Sequence, residues 1–266
     1  MTYPLTICFV RTGGIHANTE TAPCPYKTKN TVQRSIDKLR NRKPARKFLW
    51  FFLFKERTVD SILNVQRTER LKNRRFMEEQ IRQALAVLKA GGIILYPTDT
   101  VWGIGCDATN AAAVAKIFAL KRRDDAKSMI VLLDRPEQVV RWVRDVPAVA
   151  WELWEAADGA TPLTLILPGG QGLAGNLLPP EKTVAIRLVQ NEFCKRLIHK
   201  LGRPLVSTSA NLSGATTPAT YDEISDAIRE GVDLAVAPEM EEATATHKSS
   251  SIIKLDTDGG FTIIRA

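Results

Sequence analysis

From Met77 to the C-terminus the apolar positions follow two alternating patterns. Short unbroken apolar runs bounded by Gly, Pro or Ser predict buried strands at 93–96, 129–133, 161–168, 183–188, 204–206, 234–237 and 252–255. Apolar residues three and four apart predict helices between them, over 111–120, 136–142, 148–157, 191–201 and 222–229. The first helix, EEQIRQALAVLK, carries Glu78 and Glu79 in its first turn, sets Ile81, Leu85 and Leu88 on one face, and stops at a glycine pair. Phe261 to Arg265, following Asp256 to Gly260, closes the chain as the second arm of a hairpin. Strands interleaved with helices define an α/β class: a twisted mixed sheet with flanking helices and a concave, positively lined pocket.

Residues 1–76 break the pattern. They show little sustained periodicity and are rich in Lys, Arg, Thr and Asn. The compact domain is therefore expected over 77–266, with 1–76 as a basic N-terminal extension outside it. Such a segment is compatible with a basic tail, a targeting sequence or an upstream extension of the reading frame. Charge sharpens the division. The whole chain carries +8, but 17 basic and 5 acidic residues lie in 1–76 against 20 and 24 in 77–266, so the body is mildly acidic. A general nucleic-acid platform is disfavoured for that body, while weak RNA binding through the tail stays open.

Chemistry gathers at the predicted strand ends. Thr98, Asp99 and Thr100 follow the apolar run ending at Tyr96, where an open α/β sheet holds its ligand. Ser207 to Gly214 forms a second hydroxyl and amide turn, and Lys121, Arg122 and Arg123 end the 111–120 helix. Basic residues there also complement the helix macrodipole, and the threonines also suit a plain turn. For Asp99 a turn-capping role is favoured over a metal or amine role. Arg187 occupies a position in its strand where alternation alone would allow an exposed residue. The glycines of 169–176 read as a surface loop, since no Lys follows them, and no P-loop occurs in the chain. Cys8, Cys24, Cys106 and Cys194 have no metal-ligand spacing, and His16, His199 and His247 lie far apart. Scattered cysteines, no apolar run near ~20 residues and no secretory signal together point to a reducing, cytoplasmic setting without a membrane span.

YPTDTVWGIG (96–105), ALKRRDDAKSM (119–129) with its K-x-R pattern, PLTLIL (162–167), TVAIR (183–187) and STSANLSG (207–214), in this order, resemble the YrdC-type threonylcarbamoyl-AMP synthases in their short, single-domain form. The resemblance covers about 77–266. It implies a nucleotidyltransferase that joins L-threonine, bicarbonate or CO2, and ATP into threonylcarbamoyl-AMP with release of pyrophosphate. It further implies Mg2+ on the ATP phosphates and a downstream threonylcarbamoyl transferase complex that completes tRNA t6A modification. Carried over residue by residue, Lys121 and Arg123 are the catalytic cations and, with Thr183, Ser209, Asn211 and Arg265, hold ATP. Thr98, Arg187, Ser207 and Ser251 face threonine or its carbamate, and Thr217 is a further site position. Departures are Asp124 and Ser128, where family members commonly have proline, and Leu132, where many have histidine. An RNA-binding module and a carbamoyl-transfer domain are the competing readings.

Overall fold

The computed structural model describes residues 45–122, 129–157, 161–258 and 260–266, with side chains from Val65 onward. The chain divides into two units, Met1–Arg67 and Thr68–Ala266. The described part of the first unit is helical. Helix α1 runs from Ala45 to Lys89, 33 residues longer at its N-terminal end than the span expected from Glu78. The reason is local: between Pro44 and Gly91 there is neither proline nor glycine, so nothing breaks the helix once it starts.

In the second unit a single nine-stranded sheet forms among the described residues. Its strands are β1 (Ile94–Tyr96), β2 (Gly103–Gly105), β3 (Ile130–Leu133), β4 (Leu163–Leu167), β5 (Val184–Leu188), β6 (Leu205–Ser209), β7 (Leu234–Ala235), β8 (Ser251–Leu255) and β9 (Phe261–Arg265). The spatial order is β7-β1-β2-β6-β3-β5-β4-β8-β9. The sheet is mixed, as expected: β1 with β7, β3 with β5 and β4 with β8 are parallel, and the other pairs are antiparallel. The C-terminal hairpin forms, with Leu255 opposite Phe261.

Helices cover both faces. On one, Ile81, Ala84 and Leu88 of α1 and Phe193, Leu197 and Ile198 of the helix Glu192–Leu201 pack against Ile94, Tyr96, Leu132 and Leu205. On the other, Val114 and Ile117 of the helix Ala111–Lys121, Trp142 and Trp154 pack against Leu95, Ile104, Val131 and Ile186. In chain order after α1, the further helices are α2 (Ala111–Lys121), α3 (Val139–Trp142), α4 (Ala148–Ala156), α5 (Glu192–Leu201) and α6 (Asp226–Arg229). The 136–142 and 222–229 stretches are shorter as α-helix than expected. Pro136 starts the former as a 3-10 turn before α3, and only four residues of the latter join α6.

Strand β2 is not among the expected strands, because its two glycines read as turn residues. Gly105 is required by the close passage of three strands. A Cβ there would lie 2.4 Å from the Val206 carbonyl oxygen and 2.6 Å from a Tyr96 ring carbon. Gly105→Ala is expected to lower stability by about 1–3 kcal/mol in urea denaturation. Gly175→Ala, which meets nothing within 4 Å, stays within about 0.5 kcal/mol of the parent.

Candidate active site

The tips of β1, β5 and β6, with the segment leading into β8 and the end of β9, surround a cavity of about 180 Å³. Its walls include Thr100, Arg187, Ser207, Ser209, Ser250 and Arg265. The turn after β1 is built by Thr98. Its Oγ1 accepts from the Thr100 amide at 3.0 Å, lies 2.9 Å from Thr100 Oγ1 and donates to the Val101 carbonyl at 2.8 Å. Thr98 thus shapes the turn, and Thr100 carries it to the cavity. Gly103 lets the neighbours close in: a Cβ there would lie 3.0 Å from Ser207 Oγ and 3.6 Å from the Thr98 methyl.

Arg187, at a β5 position where alternation alone would allow an exposed residue, is only 3% exposed and lines the cavity. Its Nη1 donates to Thr100 Oγ1 at 2.7 Å, and its Nη2 lies 3.4 Å from Asp99 Oδ1. Burial of the strand position is possible because this acid, buried as well, stands beside the cation. Asp99 therefore does not cap the turn, since neither of its carboxylate oxygens makes a hydrogen bond. Leu132, level with Arg187 in the β3–β5 register, is wholly buried. An alkyl side chain adds no polar contact at that level.

Arg265 reaches the cavity from β9, its Nε donating to the Ser250 carbonyl at 2.8 Å. Desolvation, and then the positive charge of Arg187, hold its pKa below the ordinary arginine value. Two cations that repel one another across a small space make a receptor for an anion.

Lys121, at the end of α2, is buried, and its Nζ donates to the backbone carbonyls of Ser209 at 2.5 Å and Asn211 at 2.6 Å. Ser209 Oγ donates to Asn211 Oδ1 at 2.5 Å. Lys121 and the S-x-N turn are thus one assembly, stitched to the cavity by Ser209. Helix α2 is set in register by Asn110, whose side chain accepts from the Ala112 and Ala113 amides, and by Arg122 in the left-handed conformation at its end.

Other expected positions fall elsewhere. Thr183 precedes β5 and lies 3.4 Å from a Glu181 carboxylate oxygen. Thr217 is exposed. Ser251 begins β8, while its neighbours Ser249 and Ser250 line the cavity, Ser250 Oγ lying 2.7 Å from the buried Thr164 hydroxyl. The Ser249-Ser250-Ser251 run marks this place, and only the start of β8 decides which hydroxyls turn inward. Arg123, with Asp124 and Ser128, lies outside the described residues. Among the described residues no group of three or more His, Cys, Asp or Glu side chains could hold a metal ion, and no helix is long and apolar enough to cross a membrane.

Fold and site together define an α/β domain with two arginines and several hydroxyls around a cavity at its strand tips. Residues 86–266 match the family model Sua5_yciO_yrdC, described as "Telomere recombination". Over 152 residues the chain is 35% identical to the threonylcarbamoyl-AMP synthase of Pseudoalteromonas translucida, an overlap covering 55% of this chain and 79% of that protein. A variant of P. abyssi Sua5 superposes with a TM-score of 0.63 at 27% identity, covering 70% of this chain and 55% of that one. P. abyssi Sua5 complexed with L-threonine gives 0.59 at 27% identity, covering 66% and 50%. The chain spans about half the length of those two structures. It belongs to the Sua5/YciO/YrdC family.

Arg187→Met leaves Asp99 buried without its partner and is expected to cost about 3–5 kcal/mol in urea denaturation. Arg265→Gln, on an exposed strand, is expected to change stability by no more than about 0.5 kcal/mol. Burial pushes the thiols of Cys106 and Cys194 above the ordinary cysteine range. Both therefore stay protonated and poorly nucleophilic at a pH of about 8, and native-state alkylation followed by mass spectrometry is expected to leave them unlabelled.

Proposed function

We propose that this chain is an L-threonylcarbamoyladenylate synthase, a nucleotidyltransferase acting on L-threonine, bicarbonate or CO2, and ATP. The observation that carries the reading is the pairing of Arg187 and Arg265 around a hydroxyl-lined cavity at the strand tips. At about 180 Å³ the cavity is smaller than the roughly 300–1,000 Å³ of a pocket for a drug-sized ligand. It suits an amino acid and its carbamate, while the nucleotide extends over the open side toward Ser209, Asn211 and Lys121.

The chemistry needs no protein nucleophile. The threonine amine adds to CO2 and loses a proton, giving a carbamate. A carbamate oxygen then attacks the α-phosphorus of ATP, the bond to the β-phosphate oxygen breaks, and pyrophosphate leaves. The protein's task is to align two anions and to place positive charge where charge gathers. Arg187 and Arg265 hold the carboxylate and carbamate end, hydroxyls of Ser207 and Ser209 orient it, and Lys121 fixes the S-x-N turn against which the phosphates lie. Arg123 serves the phosphates by the same reading. Mg2+ enters with ATP as part of the substrate, since Asp99, the acid beside the site, is committed to Arg187. The mixed anhydride formed is reactive and serves a downstream threonylcarbamoyl transferase that modifies tRNA.

The full chain is expected to release pyrophosphate from ATP only when threonine and bicarbonate are both present, with threonylcarbamoyl-AMP detectable by mass spectrometry. Equal pyrophosphate release without threonine would remove the assignment. Lys121→Ala and Arg123→Ala are each expected to lose about 2–4 kcal/mol of transition-state stabilisation, read from kcat/KM. Parental rates in both would place the phosphate site elsewhere.

A further inference from the structure

Asp99 is a buried charged group that takes no direct part in the chemistry above. It is 6% exposed, and both carboxylate oxygens lie out of reach of solvent without a hydrogen bond. Capping does not explain it, because Thr98 Oγ1 already accepts from the amide of the turn. Direct substrate contact does not explain it either, since Asp99 is not among the cavity's walls. Its backbone has a separate role: the Asp99 carbonyl accepts from the Thr246 amide at 3.1 Å, tying the turn to the chain that leads into β8. That contact would survive any change of the side chain. What remains for the carboxylate is its charged partner among the described residues, Arg187, at 3.4 Å.

Arg187 needs such a neighbour. It is a cation buried near the end of a strand and shares the cavity with a second cation, Arg265. Thr100 holds Nη1 by a neutral hydrogen bond that supplies no compensating charge. Asp99 is the only acid in ion-pair contact with Arg187 among the described residues, and it meets Nη2 without hydrogen-bond geometry. Nη2 is thereby neutralised but keeps its donors for an anion in the cavity.

We propose that Asp99 is a positioning residue for ligand binding: its buried carboxylate holds the Arg187 guanidinium in the cavity wall against Arg265 and never touches the ligand. The ligand class, an amino-acid carboxylate or the carbamate made from it, rests on the synthase reading. The geometry of the pair does not.

The test is a double-substitution cycle in the full chain, with threonine affinity measured by calorimetry and the Arg187 side chain followed by its Nε–Hε NMR signal. Asp99→Asn, nearly identical in shape, is expected to weaken threonine binding roughly tenfold or more, the order of coupling between charged groups in contact. Arg187→Gln is expected to weaken it at least as much, and the double variant no further than Arg187→Gln alone. The Nε–Hε signal, assigned by its loss in Arg187→Gln, is expected to move and to exchange faster in Asp99→Asn. Asp99→Asn binding within about twofold of the parent, additive losses in the double variant, or an unmoved Arg187 signal would each overturn the proposal. Should Asp99→Asn fail to fold alone, the double variant, which buries neither charge, is expected to fold and to bind as Arg187→Gln does. Its failure to fold would assign Asp99 a packing role instead. If the parent binds no threonine, the synthase reading falls, and the NMR arm still decides the positioning claim.

Discussion

A positive charge buried near the end of a β-strand is the constraint on which the site depends. Arg187 stands where a packed sheet leaves almost no water to solvate it, and an isolated ion in such a place costs several kcal/mol. The fold answers by bringing the turn after β1 to the same strand, so that one acid and one hydroxyl reach the guanidinium from residues 99 and 100. The strand order sets the difficulty. With β2, β6 and β3 lying between β1 and β5, the turn must reach across three strands to find Arg187. Gly103 leaves room beside the turn, since a Cβ there would meet Ser207 Oγ and the Thr98 methyl.

The receptor that results is electrostatic and hydroxylic rather than nucleophilic. Cys106 and Cys194 are sealed in the core, Cys194 donating to the Pro97 carbonyl at 3.3 Å. The polar side chains that do reach the cavity are hydroxyls and guanidinium groups. Such a set is poorly suited to a covalent intermediate with a carbonyl substrate, but it can hold two negatively charged partners that would otherwise repel each other. The synthase chemistry asks for that alignment, because its bond-making groups all belong to the substrates.

Much of this is legible in the amino-acid order, and the misses have physical causes. The apolar runs mark eight of the nine strands because each is bounded by a turn former; β2 escapes because a Gly-Ile-Gly strand has the composition of a loop. The polar tips are legible from Thr98 to Thr100 and from Ser207 to Asn211, since clustered hydroxyls after an apolar run have few other uses. Which hydroxyl faces inward is not. Thr98 and Thr100 are equivalent in sequence, and only the hydrogen bonds of the turn separate the builder from the wall. The burial of Arg187 is hidden for a related reason: alternation along one strand cannot register an acid contributed from a distant part of the chain. Domain limits are blurred by α1, which stays helical from Ala45 to Lys89 because no proline or glycine interrupts it.

Helix α2 also works as a ruler. Its start is pinned by the Asn110 side chain, its end by the left-handed Arg122, and its last residue supplies the ammonium that gathers the Ser209 and Asn211 carbonyls. Inserting or deleting one residue between those pins would rotate that ammonium by about 100° and slide it by about 1.5 Å. The 11-residue length of this helix is therefore under a constraint that its surface composition does not reveal, and point changes along it are far safer than changes in its number of residues.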